Sequence, residues 1–296
     1  MANRTRTWVT VLKRFAVVVA MALSFFPIFW LVSTSFKPFD EWVSYPPVWV
    51  SQRPTLQNYR IVFSPEAARA FAATQAESLD YKVAGSALKA FVDSSIVSTF
   101  ATLLSVILGT LAAYAMARFK TGGETFAFQV LSVRMFPPIA VVVPVVVVFS
   151  FLHLSDTYFG LILAYTAFTL PFSIWMLRSF IEEIPAELEG AAMVHGMTQS
   201  QAFVKVMLPL IRGGMLATAL FVFILNWSEF LFALTLTSGG VTTVTVQVAK
   251  YVSASSGTLY GVQAAMGTIS TLPVIAFGYL IQRHLVRGLT FGSIKR

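Results

Sequence analysis

The sequence has no cysteine and few charged residues, and each shortage excludes a class of function. With no Cys among its 296 residues, the chain can form no disulfide and offers no thiolate for catalysis or metal binding. Charged residues make up 11% of the chain, whereas soluble domains average about 25%. With 56% hydrophobic residues and a mean hydropathy of +0.74, its apolar surface exceeds what a water-soluble core could bury. A bilayer must therefore solvate much of it.

Apolar runs long enough to cross a bilayer, about 20 residues each, recur along the chain. Four of them carry no charge, and two are interrupted by one ionisable residue each, Arg134 or Glu229. The six predicted spans are 15–36, 94–117, about 126–150, 157–177, about 210–236 and 251–282. No alternating pattern of about ten residues recurs, which argues against a β-barrel. The predicted fold class is therefore an all-α polytopic membrane protein.

These spans divide the chain into parts. We expect a cytoplasmic N-terminus at 1–14, an extracytoplasmic loop at 37–93, a five-helix core at 94–285 and a C-terminal tail at 286–296. The first span could instead be a cleaved signal sequence. Its apolar run is too long for one and continues past Ala20-Met21-Ala22, so we interpret it as an anchor.

The net charge of +8 is explained by topology better than by binding to nucleic acid. If the N-terminus is inside and each span crosses once, most Lys and Arg residues fall in the cytoplasm. The short outer loops then contain only Lys250, and the long loop 37–93 is neutral overall. The positive-inside rule thus predicts that both termini are cytoplasmic.

The polar segment 185–209, between the fourth and fifth spans, predicts a cytoplasmic helix–turn–helix elbow. Pro185 suits the first position of a helix, and Gly196 is placed to end that helix. Thr198 and Gln201 form a capping-box pattern that starts a second helix. We expect Pro209 to stop this second helix where the fifth span begins.

One face of the first elbow helix is small and smooth. Leu188, Ala191, Ala192 and His195 recur at helical spacing and form this face. A face of this kind allows another protein surface to approach closely. The alternative is an interfacial helix pair without a partner, although such helices usually have a larger apolar face.

Six motifs, in order along most of the chain, resemble those of carbohydrate-type binding-protein-dependent ABC permeases, in particular the maltose-type (MalG-like) subfamily. The family signature is EAA, three residues, Gly, nine residues and Ile-x-Leu-Pro. The elbow matches this spacing in full. The elbow contains one motif, formed by 190–192, Gly196 and 206–209. The other five matching segments are 54–59, 113–119, 135–137, 226–230 and 287–290.

The resemblance implies a non-catalytic permease subunit of an ATP-driven importer in a bacterial inner membrane. The solute would be a sugar, polyol or oligosaccharide. The implied partners are two ATPase subunits, a second homologous permease and an extracytoplasmic solute-binding protein. ATPase closure would pull the elbows together and open the permeases outward. The implied ATPase-docking residues are Glu189, Gly190, Ala191, Ala192, His195, Gly196, Leu208 and Pro209.

If transport is driven by ATP, the nucleotide must be bound by another chain. No Gly is followed by Lys, so no phosphate-binding P-loop is present. The chain therefore has no cofactor of its own, and ATP and Mg would be held by the partner ATPases. The elbow departs from the family pattern at Gly190 and His195, where relatives usually have acids. The docking shape is kept, because the small residues and the Gly turn are kept.

Four polar residues within the spans are candidates for the translocation pathway. Arg134 lies deep in the third span, where a charge costs at least about 2.5 kcal/mol. It should line a cavity, bond to a neighbouring helix or reach back to the membrane surface. Glu229 lies within a family motif, which favours a structural or gating role. Gln129 and Asn226 are the other two, and such residues more often join helices than contact solute.

Three alternatives remain open from the sequence. The loop 37–93, with helix-forming composition at 65–90, either docks the binding protein or covers the permease as a lid. The tail 286–296 either reaches the ATPase or anchors the last span. An ion-coupled secondary transporter would need no elbow, and a membrane enzyme would need a nucleophile–base set that the sequence does not offer.

Overall fold

The computed structural model describes residues 2–74, 87–135, 137–253 and 257–291. These residues form two compact units: one within Met1–Leu88 and Gln247–Thr271, the other within Lys89–Val246 and Leu272–Arg296. Most of the described chain is helical. A chain in lipid must satisfy its backbone groups internally, and helices do so within one segment. The predicted all-α class is confirmed.

The first unit is built around one long helix. The elements in order are α1 (Ala2–Ser35), a 3₁₀ turn (Phe39–Glu41), α2 (Gln57–Phe63), α3 (Pro65–Thr74), strands β1 (Val252–Ser253) and β2 (Gly257–Thr258), and the start of α13 (Tyr260–Phe291). In the most apolar 18-residue window of α1, no residue is buried within the chain. These side chains therefore require an apolar environment outside the chain.

The end of α1 is held by side chains from the following loop and α2. The Asn58 amide donates to the carbonyls of Ser35 and Lys37 at 2.9 Å each, and the Trp42 indole donates to the Lys37 carbonyl at 3.0 Å. Gly261 allows this close packing, since a Cβ there would lie 2.2 Å from the Trp42 ring nitrogen. The 54–59 motif thus contributes a helix cap through Asn58.

The second unit contains the other helices. They are α4 (Ala87–Phe119, whose first two residues belong to the first unit), α5 (Gly123–Ser132), α6 (Pro138–Phe151), α7 (Tyr158–Glu182), α8 (Glu187–Val194), α9 (Gln199–Ala202), α10 (Leu208–Trp227), α11 (Leu231–Leu236), α12 (Val244–Ala249, which continues into the first unit) and the rest of α13. A 3₁₀ turn (Val133–Met135) follows α5, and a π-helical turn (Phe203–Met207) joins α9 to α10.

Within the described ranges, five helices are long and apolar enough to cross a bilayer. They are Val11–Ser35, Ala87–Phe119, Tyr158–Glu182, Gln199–Trp227 and Tyr260–Leu280. The predicted third span, about 126–150, is not one helix, because Pro137 and Pro138 lack the N–H that helix continuation requires. At 14 residues, α6 is about 21 Å long, whereas a hydrocarbon core is about 30 Å thick. A third crossing needs α5 and α6 together.

Other boundaries also differ from the prediction. The second long helix begins at Ala87 rather than at residue 94, and the last begins at Tyr260 rather than at 251. Before it, β1 and β2 pair with each other, with Val252 opposite Thr258, so the residues of these two strands are not helical. Part of the predicted helix at 65–90 is present as α3. Residues 75–86, and residues 292–296 of the predicted tail, lie outside the described residues.

Two buried clusters stabilise the second unit at different heights along α4. The first joins α4, α6, α7 and α11, and the second joins α4, α7 and the segment that follows α9. The first contains Val97, Ala101, Val142, Leu161, Ala164, Tyr165, Phe232, Ala233, Leu236, Val241 and Val246. The second, which we call the elbow-side cluster, contains Val106, Ala113, Tyr114, Leu177, Ile181, Met207 and Ile211.

Small and hydroxylated residues bring α4 and α7 close together. A Cβ on Gly109 would lie 2.6 Å from the Ser173 side chain, so only glycine fits there. The hydroxyls of Ser105 and Ser173 are 2.8 Å apart, and Thr169 donates to Ser105 at 3.2 Å. Close approach through small residues with shared hydroxyl bonds is typical of helix pairs in membranes.

Candidate functional site

The elbow begins where the chain leaves α7 at Pro185. The Pro185 carbonyl accepts the Leu188 N–H at 3.3 Å, and the Ala186 carbonyl accepts those of Glu189 and Gly190 at 3.2 and 3.1 Å. Pro185 lies just before the N-cap, Ala186, rather than at the predicted first position of the helix, which begins at Glu187. Two acidic residues in the first turn of α8 complement the positive end of the helix dipole.

Gly196 ends α8, as predicted. Its φ of +90° lies in the left-handed region that favours glycine. The Gly196 N–H donates to the Met193 carbonyl at 2.9 Å, and the Met197 N–H donates to the Ala192 carbonyl at 3.1 Å. These two bonds form a Schellman motif, which satisfies carbonyls that the helix end would otherwise leave unpaired.

The predicted capping box at the start of α9 is also confirmed. The Thr198 hydroxyl accepts the Gln201 N–H at 3.3 Å, and the Gln201 side chain accepts the Thr198 N–H at 3.0 Å. The prediction that Pro209 stops this helix is wrong. Helical structure continues from Gln199 to Trp227 through the π-helical turn. Pro209 lies in the first turn of α10, where its missing N–H is tolerated.

The faces of α8 are only partly those that the sequence predicts. Leu188, Ala191 and His195 are exposed, as expected of a docking face, but Ala192 is buried. Glu189 is also buried, with 3% exposure. The outward surface instead includes Met193, at 40% exposure, and Val194, at 87%. Gly190 is partly exposed, and a Cβ added there would meet nothing within 4 Å.

The Glu189 carboxylate anchors the elbow to the end of α4. Arg118 Nε donates to Glu189 Oε1 at 2.6 Å, and the Tyr114 hydroxyl donates to Glu189 Oε2 at 2.5 Å. Arg118 also donates to the Ile184 carbonyl at 2.7 Å, and Gln199 donates to the Tyr114 hydroxyl at 2.6 Å. We call these four side chains, Glu189, Tyr114, Arg118 and Gln199, the elbow anchor.

Apolar packing supports the elbow anchor. The ring of Tyr114 lies 4.5 Å from that of Phe203, centroid to centroid. Ala202 and Met207 are fully buried, and Leu208 packs against the elbow-side cluster. Pro209 is exposed. The second half of the elbow is therefore integrated into the membrane-spanning helices rather than attached by a loose linker.

Sequence reasoning did not find the elbow anchor, although a signal was present. Tyr114 and Arg118 lie in the motif at 113–119, four residues apart, and thus on one face of α4. A hydroxyl and a guanidinium on one helix face indicate an anionic partner. The sequence alone could not identify that partner as Glu189, 71 residues further along the chain.

Asn226 lies buried inside the second unit, with 2% exposure. Its amide nitrogen donates to the Thr102 hydroxyl of α4 at 3.1 Å. Its carbonyl oxygen, Oδ1, has no hydrogen-bond partner in the part of the chain that the structure describes. The residue joins two helices, which is the commoner role of a polar side chain in a span.

Glu229 caps a helix inside the predicted fifth span. The helix breaks after Trp227, and Glu229 accepts the N–H groups of Phe232 and Ala233 at 2.9 and 3.2 Å. The Glu229 carbonyl accepts the Thr245 hydroxyl at 2.6 Å. Its carboxylate thus satisfies the free N–H groups at the start of α11, as an acid at a helix N-terminus does.

The other two pathway candidates lie on the broken third span. Gln129 is on α5 and exposed, while Arg134 is in the 3₁₀ turn between α5 and α6. The Arg134 side chain is outside the described part of the structure. The four candidates are therefore not brought together: Asn226 and Glu229 are engaged inside the protein, and Gln129 is on its surface.

Two aspartates fix the segment 237–246 at the opposite end of α4. Asp93 accepts bonds from the Tyr158 hydroxyl at 2.6 Å, the Lys89 ammonium at 2.6 Å and the Thr242 N–H at 2.7 Å. A further donor, the Val244 N–H, binds the Ser94 hydroxyl at 2.7 Å. Within the described residues, no group of three His, Asp or Glu side chains could hold a metal ion.

Asp156 accepts three bonds from the same segment: from Ser238 at 2.8 Å, Gly240 at 2.9 Å and Val241 at 3.0 Å. Burial would raise the pKa of Asp156, but the N–H and hydroxyl donors outweigh it and hold the pKa at about 2. Sequence reasoning did not find this contact, since a single Asp between two spans has no distinguishing pattern.

These features define a class of protein: a polytopic membrane protein with a helix–turn–helix elbow bonded to the end of one long helix. The comparisons give the particular family. Residues 105–291 match the model of the binding-protein-dependent transport system inner membrane component. Since this match covers more than half of the chain, the chain belongs to that family. It is a non-catalytic membrane subunit of an ABC-type importer, in a system whose ATPase and binding protein are other components.

Two curated relatives and one solved structure agree with this assignment. The trehalose transport system permease protein SugB of Mycobacterium tuberculosis is 34% identical over 298 residues, covering 100% of both chains. The trehalose/maltose transport system permease protein MalG of Thermococcus litoralis is 31% identical, covering 96% of this chain and 98% of that one. The predicted MalG-like resemblance is confirmed.

The solved structure supports the fold. It is the crystal structure of a bacterial ABC transporter involved in the import of the acidic polysaccharide alginate. One of its chains superimposes with a TM-score of 0.72 at 19% identity, covering 95% of this chain and 97% of that one.

Proposed function

We propose that this chain is the MalG-like permease subunit of an ATP-driven carbohydrate importer and that its elbow docks an ATPase. The two curated relatives are named for trehalose or maltose transport, which supports a sugar, polyol or oligosaccharide as the solute. The family membership favours ATP as the energy source over the ion-coupled alternative.

The observation that carries the docking proposal is the group of exposed apolar side chains on the first helix of an elbow that is bonded to α4. Leu188, Ala191, Met193 and Val194 expose apolar atoms there. A rigid apolar surface suits a groove on another protein, because little ordering entropy is lost on binding. Ala191, Gly190 and His195 remain proposed contact residues, whereas Ala192, Glu189, Gly196 and Leu208 support the elbow from within or shape its turn. Pro209 lies in the first turn of α10.

The proposed assembly contains two ATPase subunits, a second homologous permease and an extracytoplasmic solute-binding protein. ATP and Mg are held by the ATPases. When the ATPases close, they draw the docked elbows together, and the paired permeases open outward. Because α9 continues into α10 without a break, movement of the elbow is passed directly to a membrane-spanning helix.

The proposed orientation places the elbow and both termini in the cytoplasm of a bacterial inner membrane. Tyr114 of the elbow anchor and Asp93, which fixes the segment 237–246, lie on the same helix. Their separation corresponds to about 32 Å at the helical rise, close to the thickness of a hydrocarbon core. The elbow and the segment 237–246 therefore suit opposite faces of a bilayer.

Only two of the four pathway candidates stay in the proposal. Asn226 and Glu229 already bond to neighbouring helices, so we assign them structural roles. Arg134 and Gln129, next to the break between α5 and α6, are the proposed contributors to the pathway. The loop 37–93 is proposed to face the binding protein.

Uptake by reconstituted vesicles tests the proposed function. The permease pair, the ATPase and the binding protein are co-expressed, and radiolabelled trehalose and maltose are offered from outside. We expect uptake that requires ATP inside the vesicles and the binding protein outside. Uptake driven by an ion gradient without ATP would contradict the proposal.

A further inference from the structure

Glu189 is a buried carboxylate, although it lies on a helix whose neighbouring residues face solvent. Its side chain is 4% exposed, and that of Arg118 is 12% exposed. A carboxylate in such a place is tolerated only if charge and hydrogen bonds compensate it. Arg118 Nε and the Tyr114 hydroxyl each bind a different oxygen of the carboxylate, so both oxygens are occupied by groups from α4.

The elbow anchor joins four parts of the chain. Arg118 connects α4 to Glu189 of α8 and to the Ile184 carbonyl at the end of α7. Tyr114 connects Glu189 to Gln199 at the start of α9. Both halves of the elbow are thus bonded to the last turns of one long helix. Removal of Glu189 would leave a largely buried guanidinium without its charge partner.

We propose that Glu189 is a positioning residue that makes the elbow and the end of α4 move as one body, rather than a residue that contacts the ATPase. The rigid connection between the elbow and α4 is independent of the proposed function. The effect of Glu189 on the coupling of ATP hydrolysis to transport rests on that function. When the ATPase moves the elbow, the displacement passes to α4 through Glu189 and to α10 through the continuous helix. Two membrane helices then respond together.

The absence of cysteine makes the rigidity measurable, since two introduced cysteines are the only labelling sites. Val194→Cys and Thr121→Cys place spin labels at exposed positions on the elbow and beyond the end of α4. The full chain in nanodiscs should give a narrow distance distribution by pulsed electron resonance. Glu189→Gln should broaden it, and Glu187→Gln, an exposed acid on the same helix, should not.

Tyr114→Phe is a second variant for the case that Glu189→Gln does not fold. It removes one hydroxyl and leaves the ring packed on Phe203. It should broaden the distribution as well, to a smaller extent. Equal distributions in the parent chain, Glu189→Gln and Tyr114→Phe would overturn the proposal.

A second measurement separates positioning from contact. In the assembled transporter, Glu189→Gln should retain the ATPase on co-purification but lower solute transported per ATP hydrolysed by about tenfold, the size of a typical coupling. Loss of the ATPase with an unchanged distance distribution would show that Glu189 contacts the ATPase, and would overturn the proposal. If no ATPase binds the unmodified chain, the proposed function fails, while the distance measurement still decides the rigidity.

Discussion

The Val241 N–H donates to Asp156 Oδ1 at 3.0 Å across 85 residues of sequence. Together with the donors from Ser238 and Gly240, this bond lowers the pKa of Asp156 to about 2 from an ordinary 3.8. A group whose pKa is lower in the folded state stabilises the fold above its unfolded pKa. The contribution is lost as the pH falls toward the folded pKa.

We therefore expect the stability contributed by Asp156 to be complete above about pH 5 and to be lost as the pH falls through about 2. The shift is worth at most about 2 kcal/mol, and solvent screening of this partly exposed group reduces it to about 1 kcal/mol. Thermal unfolding in detergent should show Asp156→Asn less stable than the parent at pH 6, with most of this difference gone at pH 2. A difference that does not depend on pH would contradict this account.

The two glycines of the elbow should respond oppositely to alanine. Gly196 has a φ of +90°, so Gly196→Ala should cost about 1 kcal/mol because a Cβ is strained there. Gly190 lies within α8 and a Cβ there meets nothing, so Gly190→Ala should stabilise the helix by about 0.5–1 kcal/mol. Hydrogen exchange at residues 187–197 measures both. Equal protection in the two variants would refute the assignment of the turn.

Removal of the Glu229 cap should lower the stability of the fold but leave the KM for solute uptake unchanged. Glu229→Ala frees the N–H groups of Phe232 and Ala233 and should cost about 1 kcal/mol. Glu229→Gln keeps one acceptor oxygen and should cost about half as much. The unfolding temperature and the KM for uptake check this together. A raised KM with unchanged stability would place Glu229 in the pathway instead.

Much of the elbow was predictable because local rules act there. Gly196, Thr198 and Gln201 each have a role set by neighbouring backbone groups, and all three roles are confirmed. Pro185 precedes the N-cap, Ala186, instead of occupying the first helical position. The Pro209 prediction was wrong because a proline in the first turn of a helix does not break it. The spacing of apolar residues does not predict that a helix continues through a π-helical turn.

The elbow anchor was not predictable, because it depends on contacts between distant segments. Periodicity placed Ala192 on the smooth docking face, yet packing against neighbouring helices buries it together with Glu189. Likewise, the absence of charge from residue 251 onward predicted a membrane span and gave no sign of the short β-pair of Val252 and Thr258. Local composition identifies what a segment could do, whereas the tertiary fold decides which face is exposed.

The central claim is that the exposed face of α8 binds an ATPase. Ala191→Trp tests it most directly, since this residue is exposed and its neighbour Ala192 is buried. Ser95→Trp, an exposed position at the other end of α4, is the matched control. Each variant is co-expressed with the ATPase, purified in detergent and assayed for bound ATPase and for unfolding temperature.

We expect Ala191→Trp to lose most of the bound ATPase while its unfolding temperature stays that of the parent, and Ser95→Trp to retain the ATPase. If Ala191→Trp binds the ATPase as strongly as the parent chain does, the exposed face of α8 is not the docking surface.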